Sequence, residues 1–309
     1  MTAAISQFGK RSSDRRPKLR LSRSGQYWVP RLLARGIRMA DRVVSTRDGV
    51  RLHVSLLGSG TNTLIVPGTG NEADFEAHFS NRRVAFFDIR NRGRSDSVAA
   101  SGAVGLPVEV DDIDDVRKAV SFERCSLFAW SYPALVAGLY AARYPERVER
   151  LILACPPPAY AANGPGFFTA RGRRPEPAIA VAPCLTANDA RARRRELARS
   201  LMANPAGVDR LRSDPGLMPN EWPDHAANAL ERVRATFGVD FDFRSELRTI
   251  AAPTLILHGA QDGIPLKSSE ELSRLIPNAH LVVLPDVGHL PHVEAPDQFS
   301  RSVTEFLSE

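Results

Sequence analysis

Cysteine, long apolar runs and paired metal-ligand motifs are all scarce in this sequence, and each scarcity narrows what the chain can be. Only three cysteines occur in 309 residues, Cys125, Cys155 and Cys184. An odd set without C-x-x-C spacing implies neither a disulfide framework nor a thiolate metal site, so all three are expected to be buried thiols. No stretch approaches the roughly 18–20 consecutive apolar residues of a membrane-crossing helix. The basic N-terminus also lacks the apolar core of a secretory signal, and a cytoplasmic protein is expected. No pair of its seven histidines has the H-E-x-x-H spacing of a zinc hydrolase. Repeats of solenoid period are missing too, and no cofactor or metal is implied.

What is present is the composition of a soluble globular protein, 43% hydrophobic and 25% charged. The length permits one large α/β domain or two smaller ones. A net charge of +6 hints at nucleic acid until its position is considered: residues 1–45 hold 11 Lys and Arg against 2 acidic residues, leaving 30 against 33 elsewhere. The basicity belongs to an N-terminal arm, residues 1–40, polar and expected to be disordered through about Ser24, with apolar residues at helical spacing from Trp28 to Met39. A solvated tail is the plain reading, with contact to RNA, a membrane or a partner as alternatives. No nucleic-acid partner is expected for the body.

Beyond the arm, "RVVSTRDGVRLHVSLLG" reads as two strands joined at Arg47-Asp48-Gly49, because Asp-Gly between β-rich runs signals a hairpin. Then come the strand "TLIVPG", the short helix "EADFEAHF", the strand "RVAFFDIR", a helix over about 108–122, the strand "CSLFAW", a helix over about 132–144 and the strand "VERLILAC". Alternation of this kind predicts a mostly parallel sheet covered on both faces. From about Pro156 to Leu247 regularity stops. That segment carries helical stretches such as "DARARRRELARSLM" and "HAANALERVRATF" and no convincing strand. "PTLILHG", a helix over about 266–275, "HLVVLP" and a last helix over about 296–307 follow. The predicted organisation is a core of residues 41–155 and 248–309 interrupted by a helical insertion, 156–247.

A serine nucleophile needs a base, a carboxylate to orient the base, and N–H donors for the oxyanion. Each is offered at the end of a predicted strand, where a doubly wound sheet gathers ligand-facing residues. Ser131 follows "CSLFAW" and precedes a helix, the context of a nucleophile elbow. Asp262 follows "PTLILHG", and His289 follows "HLVVLP" in "DVGHLPH". In this order, and with "DIRNRGRSD" and "GHLPHVEAPDQFSRSVTEFL" beside it, the chain resembles the α/β-hydrolase superfamily from about Val43 to Leu307, with the insertion matching in position only. The resemblance implies a mostly parallel eight-stranded sheet with an all-helical cap between its sixth and seventh strands. It implies Ser131 as nucleophile, His289 as general base and acid, and Asp262 as the residue that fixes the imidazole tautomer. Asp286 is the rival carboxylate, read as a turn residue; "LACPPP" offers no acid after the preceding strand. The oxyanion donors would be the N–H groups of Tyr132 and Thr69. His53, His78, His225, His258, His280 and His292 read as structural or solvated.

Two features pull against this reading. "GTGNEA" after a strand, with Asp88 ending the next strand, also fits a dinucleotide-binding loop. And the elbow is Ala129-Trp130-Ser131-Tyr132-Pro133 rather than G-x-S-x-G, with a proline whose ring disfavours the helical conformation of Tyr132 and so threatens the aim of its N–H. The expected activity is cofactor-independent serine hydrolysis of a small-molecule acyl substrate: ester, thioester, lactone or amide. Trp130, Phe167, Phe168, Trp222 and Phe237 either line an apolar pocket or hold the cap to the sheet. The alternatives are a hydrolase-fold cyclase or binding protein with an altered elbow, and an aminopeptidase using cap carboxylates such as Glu176, Asp189 and Glu221.

Overall fold

The computed structural model describes residues 38–68, 72–79, 82–98, 105–161, 192, 195–196, 198–214, 217 and 241–308. The expectations for the arm up to residue 37, and for most of the insertion with its Phe167, Phe168, Trp222, Phe237, Glu176, Asp189 and Glu221, lie outside these residues, as do those for Thr69, Cys184 and His225; residues 38–40, expected to close the arm with helical spacing to Met39, instead open a strand that pairs in the main sheet.

Among the described residues ten strands follow in chain order: β1 (Arg38–Ser45), β2 (Arg51–Leu57), β3 (Thr63–Gly68), β4 (Arg83–Asp88), β5 (Cys125–Trp130), β6 (Val148–Ala154), β7 (Tyr160–Ala161), β8 (Phe241–Asp242), β9 (Thr254–Gly259) and β10 (Ala279–Leu284). Eight of them form one sheet in the order β1-β2-β4-β3-β5-β6-β9-β10. The β1–β2 and β2–β4 pairings are antiparallel and all others parallel. The β1–β2 turn closes with the Gly49 N–H on the Thr46 carbonyl (2.9 Å), and Gly49 takes a φ of 85°, the left-handed backbone that favours glycine.

Helices are α1 (Glu72–Phe75), α2 (Leu106–Ala119), α3 (Tyr132–Arg143), α4 (Pro205–Ser213), α5 (Arg244–Leu247), α6 (Leu266–Leu275), α7 (Pro291–Glu294) and α8 (Pro296–Ser308). The central strands are mostly apolar and buried because both faces are covered. Ile65, Leu127, Leu151 and Ile256 point into a cluster with residues of α2, α3 and α6. Their neighbours Leu64, Phe128, Ile152 and Leu255 point the other way, onto Phe75 of α1 and Phe299 and Val303 of α8.

Two findings amend the reading of the insertion. Its ends carry strand pairing after all, with Tyr160 opposite Asp242 and Ala161 opposite Phe241 in an antiparallel pair. Strands of two residues are too short to show any periodicity. Helix α4 begins at Pro205, its Asn204 side chain accepting the Ala206 N–H at 2.8 Å, an N-cap followed by proline at the first helical position. No helix among the described residues is long and apolar enough to cross a membrane.

Candidate active site

The site forms where β5, β9 and β10 end. Between the last residue of β5 and the first of α3 there is one residue, Ser131, and a turn that tight demands φ 63° and ψ −135°. Its N–H donates to the Ala154 carbonyl (2.8 Å) and its carbonyl accepts the Ala134 N–H (2.9 Å), so the backbone is pinned on both sides. α3 starts at Tyr132 with Pro133 in its first turn. The ring does not displace the helix, because first-turn N–H groups have no helical acceptor to lose.

Asp262 follows β9 in a turn in which its own N–H donates to the Gly259 carbonyl and its Oδ1 accepts the Ile264 N–H, both at 2.9 Å. His289, past β10, places Nδ1 2.8 Å from Asp262 Oδ2 and 3.0 Å from Oδ1, and Nε2 2.9 Å from Ser131 Oγ. A carboxylate only accepts, so Nδ1 carries the proton and Nε2 offers its lone pair to the serine hydroxyl. Burial pushes the Asp262 carboxyl up, but the attraction and hydrogen bond of His289 and the Ile264 N–H outweigh it and hold the group below its ordinary value. Ser131, 158 positions before His289, thus joins it and Asp262 in one hydrogen-bonded chain, half-buried at Ser131 and buried at the other two.

Comparison with known proteins identifies the family of the chain. Residues 71–296 match the model of the alpha/beta hydrolase fold family, well over half of the chain. The chain belongs to the α/β-hydrolase family. It is 27% identical over 229 residues to the pimeloyl-[acyl-carrier protein] methyl ester esterase of Pectobacterium carotovorum, covering 72% of this chain and 83% of that one. It is also 27% identical over 262 residues to the enzyme of the same name from Aeromonas hydrophila, covering 82% and 98%. Its backbone superposes on an alpha/beta fold family hydrolase from Bacillus anthracis with a TM-score of 0.68 at 19% identity, covering 86% of this chain and 99% of that one.

Within this α/β hydrolase the dinucleotide reading of residues 68–88 has no support. The Asp88 carboxylate, instead of meeting a ribose, accepts the backbone N–H (2.9 Å) and Nε–H (2.8 Å) of Arg94, whose guanidinium also reaches Glu72. The sheet order, too, is not that of a dinucleotide-binding fold. Asp286 is a turn residue with φ 54°, its Oδ1 accepting from Gln261 at 3.1 Å. His258 is buried with Nδ1 2.8 Å from Ser269 Oγ and Nε2 3.1 Å from the Ile264 carbonyl, and His292 packs among Phe75, Trp130 and Phe299. Burial holds His78 down to about 4. Trp130, expected near the substrate, sits against His289 at 5.3 Å between ring centres and donates its indole N–H to the His289 carbonyl at 2.8 Å.

Two residues stand beside the site without having been placed there from the sequence: Glu294, and Cys155, which was expected only as a buried thiol. The buried Glu294 carboxylate accepts four backbone N–H groups. Oε2 takes those of Gly288 (3.0 Å), Ala203 (2.8 Å) and Asn204 (2.9 Å), and Oε1 takes that of Leu290 (3.1 Å). Gly288 and Leu290 flank His289, whose own N–H donates to the Leu201 carbonyl (3.1 Å). The fit is close: a Cβ on Gly288 would lie 2.7 Å from the Leu201 oxygen. Glu294 therefore ties the histidine loop to residues 203 and 204, some ninety positions earlier in the chain. The second residue is Cys155, fully buried just past β6 with φ 48°. Its thiol faces Asp262, and burial, reinforced by that carboxylate, raises it well above the ordinary thiol range.

Proposed function

We propose that this hydrolase of the esterase type works through Ser131, His289 and Asp262 on small-molecule acyl substrates, with carboxylic esters as the first choice. The supporting observation is the continuous hydrogen-bonded chain Ser131 Oγ–His289 Nε2 and His289 Nδ1–Asp262. In this reading His289 Nε2 takes the serine proton as Oγ attacks the acyl carbonyl, and Asp262 stabilises the imidazolium without itself becoming protonated. The imidazolium then protonates the departing alkoxide. Water, activated by the same nitrogen, releases the acid and restores Ser131.

The oxyanion would be held by the backbone N–H groups of Tyr132 and Thr69. Tyr132 directly follows the nucleophile at the start of α3, where the helix dipole favours negative charge. Residues 156–247 would form the cap, with Phe167, Phe168, Trp222 and Phe237 facing the acyl group. Two relatives carry the name of a methyl ester esterase, which makes methyl esters of medium-chain acids the natural first substrates.

A fluorophosphonate probe tests the nucleophile. It is expected to label the wild type and not Ser131→Ala. Hydrolysis of a panel of acyl esters, thioesters and aminoacyl amides tests the substrate class, with esters expected to turn over fastest. Unlabelled wild-type protein, or equal turnover by Ser131→Ala, overturns the proposal.

A further inference from the structure

The carboxylate, imidazole and thiol behind the serine make a second chemical pattern. Cys155 Sγ, a carboxylate oxygen of Asp262 and a ring nitrogen of His289 lie within 4.8 Å of one another, all on buried residues. In a tetrahedral zinc site, bonds of about 2.0 Å to N and O and about 2.3 Å to S separate the ligand atoms by roughly 3.3–3.5 Å. To reach that spacing the Asp262–His289 contact at 2.8 Å opens by about half an ångström and the widest donor separation, no more than 4.8 Å, closes by about an ångström. The donor set is the borderline-soft mixture that favours zinc and its heavier congener cadmium over magnesium or calcium. Charge fits as well. A thiolate and a carboxylate neutralise a dication, and a neutral assembly is what a dry site tolerates.

We infer that Cys155, Asp262 and His289 form an inhibitory site for a thiophilic divalent cation of the zinc type. The consequence for the imidazole is specific. A neutral ring has one lone pair. Coordination at Nδ1 uses it, so the single imidazole proton moves through solvent from Nδ1 to Nε2, the Cys155 thiol proton is the one net proton released, and the metal keeps its oxidation state. Nε2–H then donates to Ser131 Oγ across the contact now spanning 2.9 Å, reversing that hydrogen bond and leaving no base for the serine. Ile264 N–H on Asp262 Oδ1 and Ser131 on Nε2 supply the outer hydrogen bonds that orient metal ligands.

The inhibition rests on His289 being the base, whereas binding itself does not, and the experiment separates the two. Wild type, Ser131→Ala and Cys155→Ala, all full length, are titrated with Co2+ as a spectroscopic stand-in for zinc. Hydrolysis of 4-nitrophenyl acetate by the wild type and Cys155→Ala is followed against Zn2+, with Mg2+ as control and a chelator added last. A thiolate-to-metal charge-transfer band is expected in wild type and Ser131→Ala and not in Cys155→Ala. Zn2+ is expected to inhibit the wild type reversibly, Mg2+ not at all, and Cys155→Ala to need roughly tenfold more Zn2+ or beyond for the same loss. Cys155→Ser, which keeps the size of the side chain, replaces the alanine variant if that fails to fold. Absence of the band in the wild type, or equal Zn2+ sensitivity of the wild type and the Cys155 variant, overturns the site. A band without inhibition leaves the metal site standing and counts against His289 as the base.

Discussion

Replacing Ser131 by glycine should leave the protein more stable than replacing it by alanine, the reverse of the usual ranking. Both substitutions delete Oγ and with it the hydrogen bond to His289 at 2.9 Å, a net loss of about 0.5–1.5 kcal/mol common to the two. They differ at the backbone. A residue with a Cβ held at φ 63°, ψ −135° carries strain on the order of 1–3 kcal/mol, which alanine retains and glycine releases. Against this, glycine loses about 0.5–1 kcal/mol more conformational entropy than alanine on folding. The balance puts Ser131→Gly about 1 kcal/mol above Ser131→Ala, a rise of roughly 2 °C in melting temperature for a chain of this size. Urea unfolding of the two variants side by side is the assay, read from midpoints at matched slopes. Ala134→Gly, three residues on in the regular helix, is the control, expected to lose about 1 kcal/mol relative to its own wild type. A Ser131→Gly midpoint below that of Ser131→Ala by the size of the control effect would refute the strained elbow. Both Ser131 variants are expected to be inactive.

Three further outcomes follow from the site and its supports. Asp262→Asn should lower kcat by about 10³–10⁴-fold through the wrong imidazole tautomer; steady-state kinetics on a protein shown to be folded by circular dichroism decides it. Glu294→Gln keeps the shape but replaces an acceptor oxygen by an NH2 that faces a backbone N–H, so stability should drop by about 1.5–3 kcal/mol and kcat should fall with KM little changed; unaltered kcat would show that the histidine loop does not need this tie. Burial pushes the Asp114 carboxyl up, but hydrogen bonds from Lys118, Arg117 and Arg147 prevail and hold it at about 2 against an ordinary 3.8. A group lowered in the folded state stabilises above its unfolded value and loses that contribution as pH falls through the folded one. Asp114→Asn should therefore unfold more easily at neutral pH, its deficit closing between about pH 4 and pH 2 in denaturation curves.

Much of the fold was readable because it rests on local regularities. Apolar runs bounded by turn residues marked each strand of the main sheet, Asp48-Gly49 marked the hairpin, and the helix starts fell within a few residues of those observed. The strand pairing at residues 160–161 and 241–242 was not readable, since two residues carry no period. Glu294 escaped because its partners are backbone N–H groups, two of them about ninety positions away, and such partners leave no trace in residue type. For Trp130 the sequence leaves open a pocket lining or a packing role. Its indole N–H goes to the His289 carbonyl, a contact between distant parts of the chain that no local pattern announces.

By itself, the order of residue types along the chain determined the sheet-and-helix alternation and put a serine, an aspartate and a histidine at three strand ends, because periodicity and turn chemistry are properties of neighbouring residues. Tertiary structure alone decided which of those groups touch, that Ser131 takes a left-handed backbone with Pro133 accommodated behind it, and that a buried thiol stands against Asp262. Those outcomes depend on how strands stack and how loops from remote positions press backbone against backbone, and packing of that kind is settled only when the whole chain is folded.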